Sequence, residues 1–100
     1  MHCLTVTYDA PDDPAHFKHY YVETHIPLAR KLPGLVSLTY GFPEAMTPAP
    51  APFCIFQAYF ADAAAMGAAL QSEIGAQVAA DVANYSPHRP TLSHYEVQGG

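Results

Sequence analysis

The sequence predicts an α+β chain of ferredoxin-like order, βαββαβ, with a four-stranded antiparallel sheet and its helices on one face. Three observations carry this expectation. Stretches at residues 2–9, 35–42, 53–60 and 91–98 are short and rich in β-branched and aromatic residues, the residues that favour a pleated, half-buried strand. Stretches at 14–32 and 63–83 carry helical spacing, and they fall after the first and third strands. The resulting order is that of a split βαβ unit, whose helices cover one side of a sheet.

Each element has a local reason. Residues 2–9 (HCLTVTYD) alternate Leu4, Val6 and Tyr8 against Cys3, Thr5 and Thr7, the period of a strand. Ala10-Pro11-Asp12-Asp13-Pro14 ends it. Asp13 supplies a capping carboxylate and Pro14 a preset first helical residue, so a helix is expected from Pro14 to Leu32. At 3.6-residue spacing Phe17, Tyr21, Thr24, Leu28 and Leu32 share one face, with His25 on its flank. His16, His19, Glu23 and Arg30 point toward water. Pro27 cannot donate to the carbonyl of Glu23, which predicts a kink or restarted turn at residues 25–27. Pro33-Gly34 ends the helix, with Arg30 and Lys31 in its last turn to complement the dipole.

Residues 35–42 (LVSLTYGF) form the second strand. Four prolines in residues 43–52 predict an exposed, rather stiff loop. The third strand, 53–60 (FCIFQAYF), is apolar on both faces and therefore central. Asp62 caps an Ala-rich helix near 63–71, and Ser72-Glu73 caps another near 73–83. The last strand is 91–98 (TLSHYEVQ). A sheet side not covered by the chain's own helices needs other cover, and a homodimer through that sheet face is the simplest solution.

Composition narrows the function. One hundred residues are the size of one domain, spanning 1–100, and half of them are hydrophobic against 13% charged, too apolar for disorder. Four Lys and Arg against nine Asp and Glu leave a net charge of −5, with no basic cluster for nucleic acid or an anionic membrane surface. No apolar run has the length of a membrane span and no charged leader precedes one, so a cytoplasmic location is expected. Cys3 and Cys54 lack metal-type spacing and read as buried thiols. No phosphate loop, nucleotide fingerprint or nucleophile motif is present, so no cofactor is expected.

Among residues that bear chemistry, Tyr21 and His25 stand four apart on one helix face and can touch. A histidine exchanges protons near neutral pH and a phenol can donate to a developing oxyanion, which suits cyclisation, enolisation or dehydration of a small carbonyl compound. The carbonyl freed by Pro27 offers an acceptor for one ring nitrogen of His25. Asp81 lies on the stripe Ile74, Val78, Asp81, Val82, Tyr85. It can orient a histidine or bind backbone donors of the loop 86–90, the latter being the expected role. His94 is a pocket or dimer-contact candidate, and Phe17, Tyr20 and Leu28 are candidate pocket walls for a small apolar organic ligand. His16, His19 and Glu23 share a helix face, but no supporting shell can be argued, so no metal site is expected.

One segment is recognisable. Residues 11–35, PDDPAHFKHYYVETHIPLARKLPGL, resemble the EthD family, named for ethyl tert-butyl ether degradation. The likeness rests on Asp13-Pro14, Phe17, Tyr20-Tyr21, His25-Ile26-Pro27-Leu28 and Leu32-Pro33-Gly34-Leu35. A second match runs from Ser72-Glu73 through Ala80-Asp81-Val82 to Asn84-Tyr85. The resemblance implies a dimeric α+β barrel, in which two ferredoxin-like sheets face each other. That superfamily includes cofactor-free monooxygenases and polyketide cyclases. For this chain it implies either acid–base chemistry on a small apolar compound or an accessory, non-catalytic role beside a partner oxygenase. The absence of tryptophan removes one side chain that some barrel monooxygenases use.

Overall fold

In the computed structural model, which describes residues 1–99, four antiparallel strands form one sheet in the order β2-β3-β1-β4. The strands are β1 (His2–Tyr8), β2 (Leu35–Gly41), β3 (Cys54–Phe60) and β4 (Thr91–Glu96). The helices are α1 (Pro14–Tyr20) and α2 (Ile26–Ala29), then α3 (Ala63–Gln71) and α4 (Glu73–Asp81). A π turn, Tyr21–His25, joins α1 to α2, and a 3₁₀ turn, Val82–Asn84, extends α4. The fold is ferredoxin-like, as the order of elements predicted.

The caps are those read from the sequence. Asp13 accepts from the His16 amide at 3.1 Å and Asp62 from the Ala65 amide at 2.8 Å. Ser72 serves two helices: its hydroxyl donates to the Ala69 carbonyl at 2.6 Å and accepts from the Gly75 amide at 3.0 Å. Ser72 thus closes the end of α3, its amide also donating to the Ala69 carbonyl at 3.2 Å, and its side chain satisfies an orphan N–H of α4, which lets the two helices meet at a corner. The first helical segment ends at Ala29, three residues short of the expected Leu32, and Gly34 takes φ +76° in the turn Leu32–Leu35, closed by the Leu35 amide donating to the Leu32 carbonyl at 3.3 Å.

Register sorts the two sheet faces. Leu4, Val6 and Tyr8 of β1 and Cys54, Phe56, Ala58 and Phe60 of β3 are buried under the helices. With Phe17, Tyr21, Ile26, Ala29, Leu32, Met66, Ala69 and Tyr85 they make the core. Full burial of such side chains stabilises by about 1.5–3 kcal/mol each, offset by the entropy of ordering the chain. The opposite face carries Cys3, Thr5 and Thr7 beside Ile55, Gln57 and Tyr59, flanked on β4 by Thr91, Ser93 and Tyr95. None of these side chains is a carboxylate, an amine or a guanidinium. Strand β4 is exposed along its whole length.

Of the two expected forms of the break, the restarted turn is the one observed: a new helical turn, α2, starts at Ile26 with Pro27 in its first turn. The disturbance begins earlier than expected, in a π turn over Tyr21–His25 closed by the Ile26 amide reaching back five residues to the Tyr21 carbonyl. The extra residue in that turn ends just before Pro27, whose missing N–H is thereby accommodated. It also advances the helix face by one position. Beyond Tyr21 the buried residues are His25, Ile26, Ala29 and Leu32, while Thr24 is exposed and Leu28 half-buried.

Candidate functional site

The π turn swings His25 from the flank of the helix into its buried face, where only 3% of its surface is exposed. There it meets the end of α4. The Nδ1–H of His25 donates to Asp81 Oδ2 at 2.9 Å. The other carboxylate oxygen, Oδ1, accepts from the Tyr20 hydroxyl at 2.6 Å and from the Asn84 amide at 3.0 Å. A carboxylate only accepts, so Nδ1 bears the proton and Nε2 presents its lone pair. The Tyr85 hydroxyl, 3.1 Å away, therefore donates to Nε2, and the Tyr8 hydroxyl donates to Tyr85 at 2.8 Å. The result is a directional chain, Tyr8 to Tyr85 to His25 to Asp81, running from the core to a half-buried carboxylate.

Its electrostatics are consistent with that direction. Burial lowers the pKa of His25 and Asp81 only partly restores it, so the imidazole is neutral. Burial disfavours ionised Asp81, but hydrogen bonds from Tyr20, Asn84 and His25 outweigh it and hold the carboxyl below its ordinary range. Burial raises the Tyr8, Tyr21 and Tyr85 phenols, which stay protonated. It also pushes the Cys54 thiol up to about 12. Both cysteines are free and buried.

The predicted residues divide accordingly. Tyr21 stacks on His25 with ring centroids 5.2 Å apart, yet its hydroxyl is buried without a hydrogen-bond partner. Tyr20 and Asp81 join the site, and Phe17 packs against Tyr21 and Tyr85. The space between the first helix and the sheet, which Phe17 was expected to help wall as a pocket, is filled by these rings together with Tyr8 and Phe53. Two further expectations are corrected. Asp81 binds side chains of Tyr20, His25 and Asn84 rather than backbone of the loop 86–90. His25 spends its ring nitrogens on Asp81 and Tyr85, not on a carbonyl freed by Pro27. Leu28 stands outside the network. His94 is on the helix-side face of β4, paired with His2 at 2.8 Å near the sheet edge.

Sequence reasoning missed Tyr85 and Tyr8 as site residues. Asp81 and Tyr85 are four apart, as are Tyr21 and His25, so each helical segment carries one such pair, but spacing within a segment neither joins the two pairs nor points to Tyr8. Among the described residues no group of three or more His, Cys, Asp or Glu side chains is arranged to hold a metal. His16, one of the three solvent-face residues considered, donates from Nε2 to the Asn84 carbonyl at 3.1 Å. No helix among the described residues is long and apolar enough to cross a membrane.

Open space lies alongside α4 instead. A cleft of about 450 Å³ runs between α4, residues 86–90 and the start of β4, with Val82, Ala83, Pro87, Pro90 and Leu92 in its walls. A recess of about 90 Å³ extends it inward over Leu4, Val6 and Phe56, and Ala79 and Leu92 line both. Tyr85, bonded to His25, and Ser86, in the cleft wall, are consecutive residues, while the side chains of the relay itself lie outside the lining of cleft and recess.

The comparisons with known proteins agree with this architecture. Residues 10–88 match the family model described as EthD domain. An uncharacterized 11.0 kDa protein of the thcB-thcC intergenic region of Rhodococcus erythropolis is 33% identical over 93 residues, 92% of this chain and 90% of that protein. An ethyl tert-butyl ether degradation (EthD) family protein from Bacillus halodurans superposes with TM-score 0.87 at 25% identity, covering 98% of this chain and 99% of that one. Two structures share the fold at lower identity. SnoaB, a cofactor-independent oxygenase from Streptomyces nogalater, has TM-score 0.70 at 17% identity over 99% of this chain and 94% of its own. A protein from Thermobifida fusca described as dimeric and ferredoxin-like has TM-score 0.73 at 10% identity over 96% of this chain and 90% of its own. With the family match spanning most of its length, the chain belongs to the EthD family.

Proposed function

We propose that this chain takes up a small, largely apolar organic compound and moves a proton on it without a cofactor, in the manner of a cyclase or dehydratase. The observation that carries the reading is neutral His25 held between a carboxylate at Nδ1 and a phenol at Nε2. A proton arriving at the Tyr85 oxygen passes the phenol's own proton to Nε2, and Asp81 stabilises the imidazolium so formed. Tyr21, the other half of the expected pair, stacks on His25 and forms the buried wall behind the imidazole.

The test is deuterium exchange in D₂O, followed by NMR, on a panel of small ketones and phenols. The wild-type protein should catalyse exchange at the acidic C–H positions of at least one compound. His25→Ala and Tyr85→Phe should each lower the rate by about 10²–10⁴-fold. No exchange above buffer for any compound would sink the catalytic reading.

A second reading, a non-catalytic binding protein serving a partner oxygenase, is favoured by burial: His25 and Tyr85 are 3% and 4% exposed. It predicts ligand binding with no exchange. The fold shared with SnoaB adds cofactor-free oxygenation, which oxygen uptake in the same samples would register.

In either reading we propose a cytoplasmic homodimer closed through the sheet face opposite the helices. The support is the uncharged surface around Cys3, Thr5, Gln57 and Tyr59, together with the dimeric description of a fold relative. Such an interface should bury more than about 1,200 Å² in total. Sedimentation at micromolar concentration should give twice the chain mass, and a stable, fully folded monomer would refute it.

A further inference from the structure

We propose that the cleft beside α4 binds an amphipathic carboxylate, its apolar body seated against Leu92 and the inner recess and its head held by Arg89. The inference rests on the reading of this chain as a small-molecule protein, but not on the relay or on catalysis.

The walls are apolar where the body would lie. Val82, Ala83 and Pro90 line the cleft, and Leu4, Val6 and Phe56 line the recess beyond it. Leu92 is paired with Val6 across the sheet, yet 57% of its surface is exposed, because α4 does not extend over β4. A branched apolar side chain at the mouth of a concave space of this size is what a small ligand would cover.

The head group is selected by charge. The lining of cleft and recess contains no Asp or Glu, in a chain with nine of them. It contains Arg89, one of four bases in the chain, which makes no ion pair among the described residues. Arg89 is set in the segment Ser86-Pro87-His88-Arg89-Pro90, whose two prolines restrict the backbone. The Ser86 hydroxyl closes the segment further by donating to the His88 carbonyl at 2.7 Å. A guanidinium offers paired donors that match a carboxylate, so a preset arginine over an acid-free apolar cleft favours that head over a neutral one.

Calorimetric titration of octanoate and octanamide, which share the chain and differ in head-group charge, tests this on the intact protein. Octanoate should bind about two- to five-fold more tightly than octanamide, the range of a solvent-exposed charge pair. Added salt should weaken octanoate alone. Arg89→Gln, at an exposed position, should bring the two ligands to parity with the fold intact by circular dichroism. Equal affinities in the wild type, or a preference that survives Arg89→Gln, would overturn the carboxylate assignment while leaving the small-molecule reading standing. Failure of both compounds to bind at millimolar concentration would overturn the cleft as a site, and exchange catalysis on another compound would then still support the relay.

Discussion

Asp81 Oδ2 lies 2.9 Å from His25 Nδ1 across 56 residues of sequence, tying the end of α4 to the π turn that follows α1. The contact sets the imidazole tautomer and makes every other hydrogen bond of the chain directional. Asp81→Asn keeps the shape but removes the charge that three donors share. Chemical unfolding should show a loss of about 1–3 kcal/mol, the cost of leaving buried polar partners poorly satisfied. Nitrogen-15 shifts of the imidazole should report loss of the single Nδ1–H tautomer. An unchanged tautomer in the variant would mean that Asp81 does not set it.

The relay also shapes stability against pH. His25 and Asp81 both have folded pKa values below their unfolded ones, so the unfolded chain binds more protons on acidification. Stability should therefore fall as pH drops below about 6.5, and again below about 4. The phenols of Tyr8, Tyr21 and Tyr85 and the Cys54 thiol have raised values, so the folded state holds protons that the unfolded chain releases. Their contribution is present below pH of about 8.5–10 and is lost as pH rises beyond it. Melting temperatures recorded from about pH 2 to 11 should form a plateau with two falling sides, the acidic one in two steps. In His25→Ala the first acidic step should be reduced.

Two tyrosines on the same imidazole should respond in opposite ways to loss of a hydroxyl. Tyr85→Phe leaves Nε2 of buried His25 without its donor and should cost about 1–3 kcal/mol. Tyr21→Phe deletes a buried hydroxyl that has no partner, so stability should be unchanged or higher by up to about 1 kcal/mol. Urea melts of the two variants check the contrast. A large loss in Tyr21→Phe would show that its hydroxyl has a partner in solution.

Gly75 marks the closest approach of α4 to α3. A Cβ there would meet the carbonyl oxygens of Ala69 and Leu70 well inside van der Waals contact, and backbone cannot yield as a side chain does. Gly75→Ala should destabilise by about 1–3 kcal/mol despite the better helix propensity of alanine. Because Gly75 also lines the inner recess, the variant should bind octanoate more weakly. Thermal melting and the titration above measure the two effects separately.

The strands, the capped helix starts and their order were legible in the sequence, because each depends on neighbours within a few residues. Alternation over His2–Tyr8 and the Asp13, Asp62 and Ser72 caps are all local chemistry, and the structure reproduces them. The EthD likeness around His25 was legible as well, since it is a pattern of residue types. What only the tertiary structure decided was which side chains meet. A helix extrapolated at 3.6 residues per turn places Thr24 and Leu28 inward and His25 at the edge. One added residue in the π turn rotates the face, burying His25 opposite Asp81 and exposing Thr24. Asp81 and Tyr85 became partners of that histidine only when α4 packed beside it, at sequence separations of 56 and 60 residues that no local spacing encodes. The cleft has the same origin: Leu92 alternates like any strand residue, and its exposure follows from how far α4 extends over the sheet.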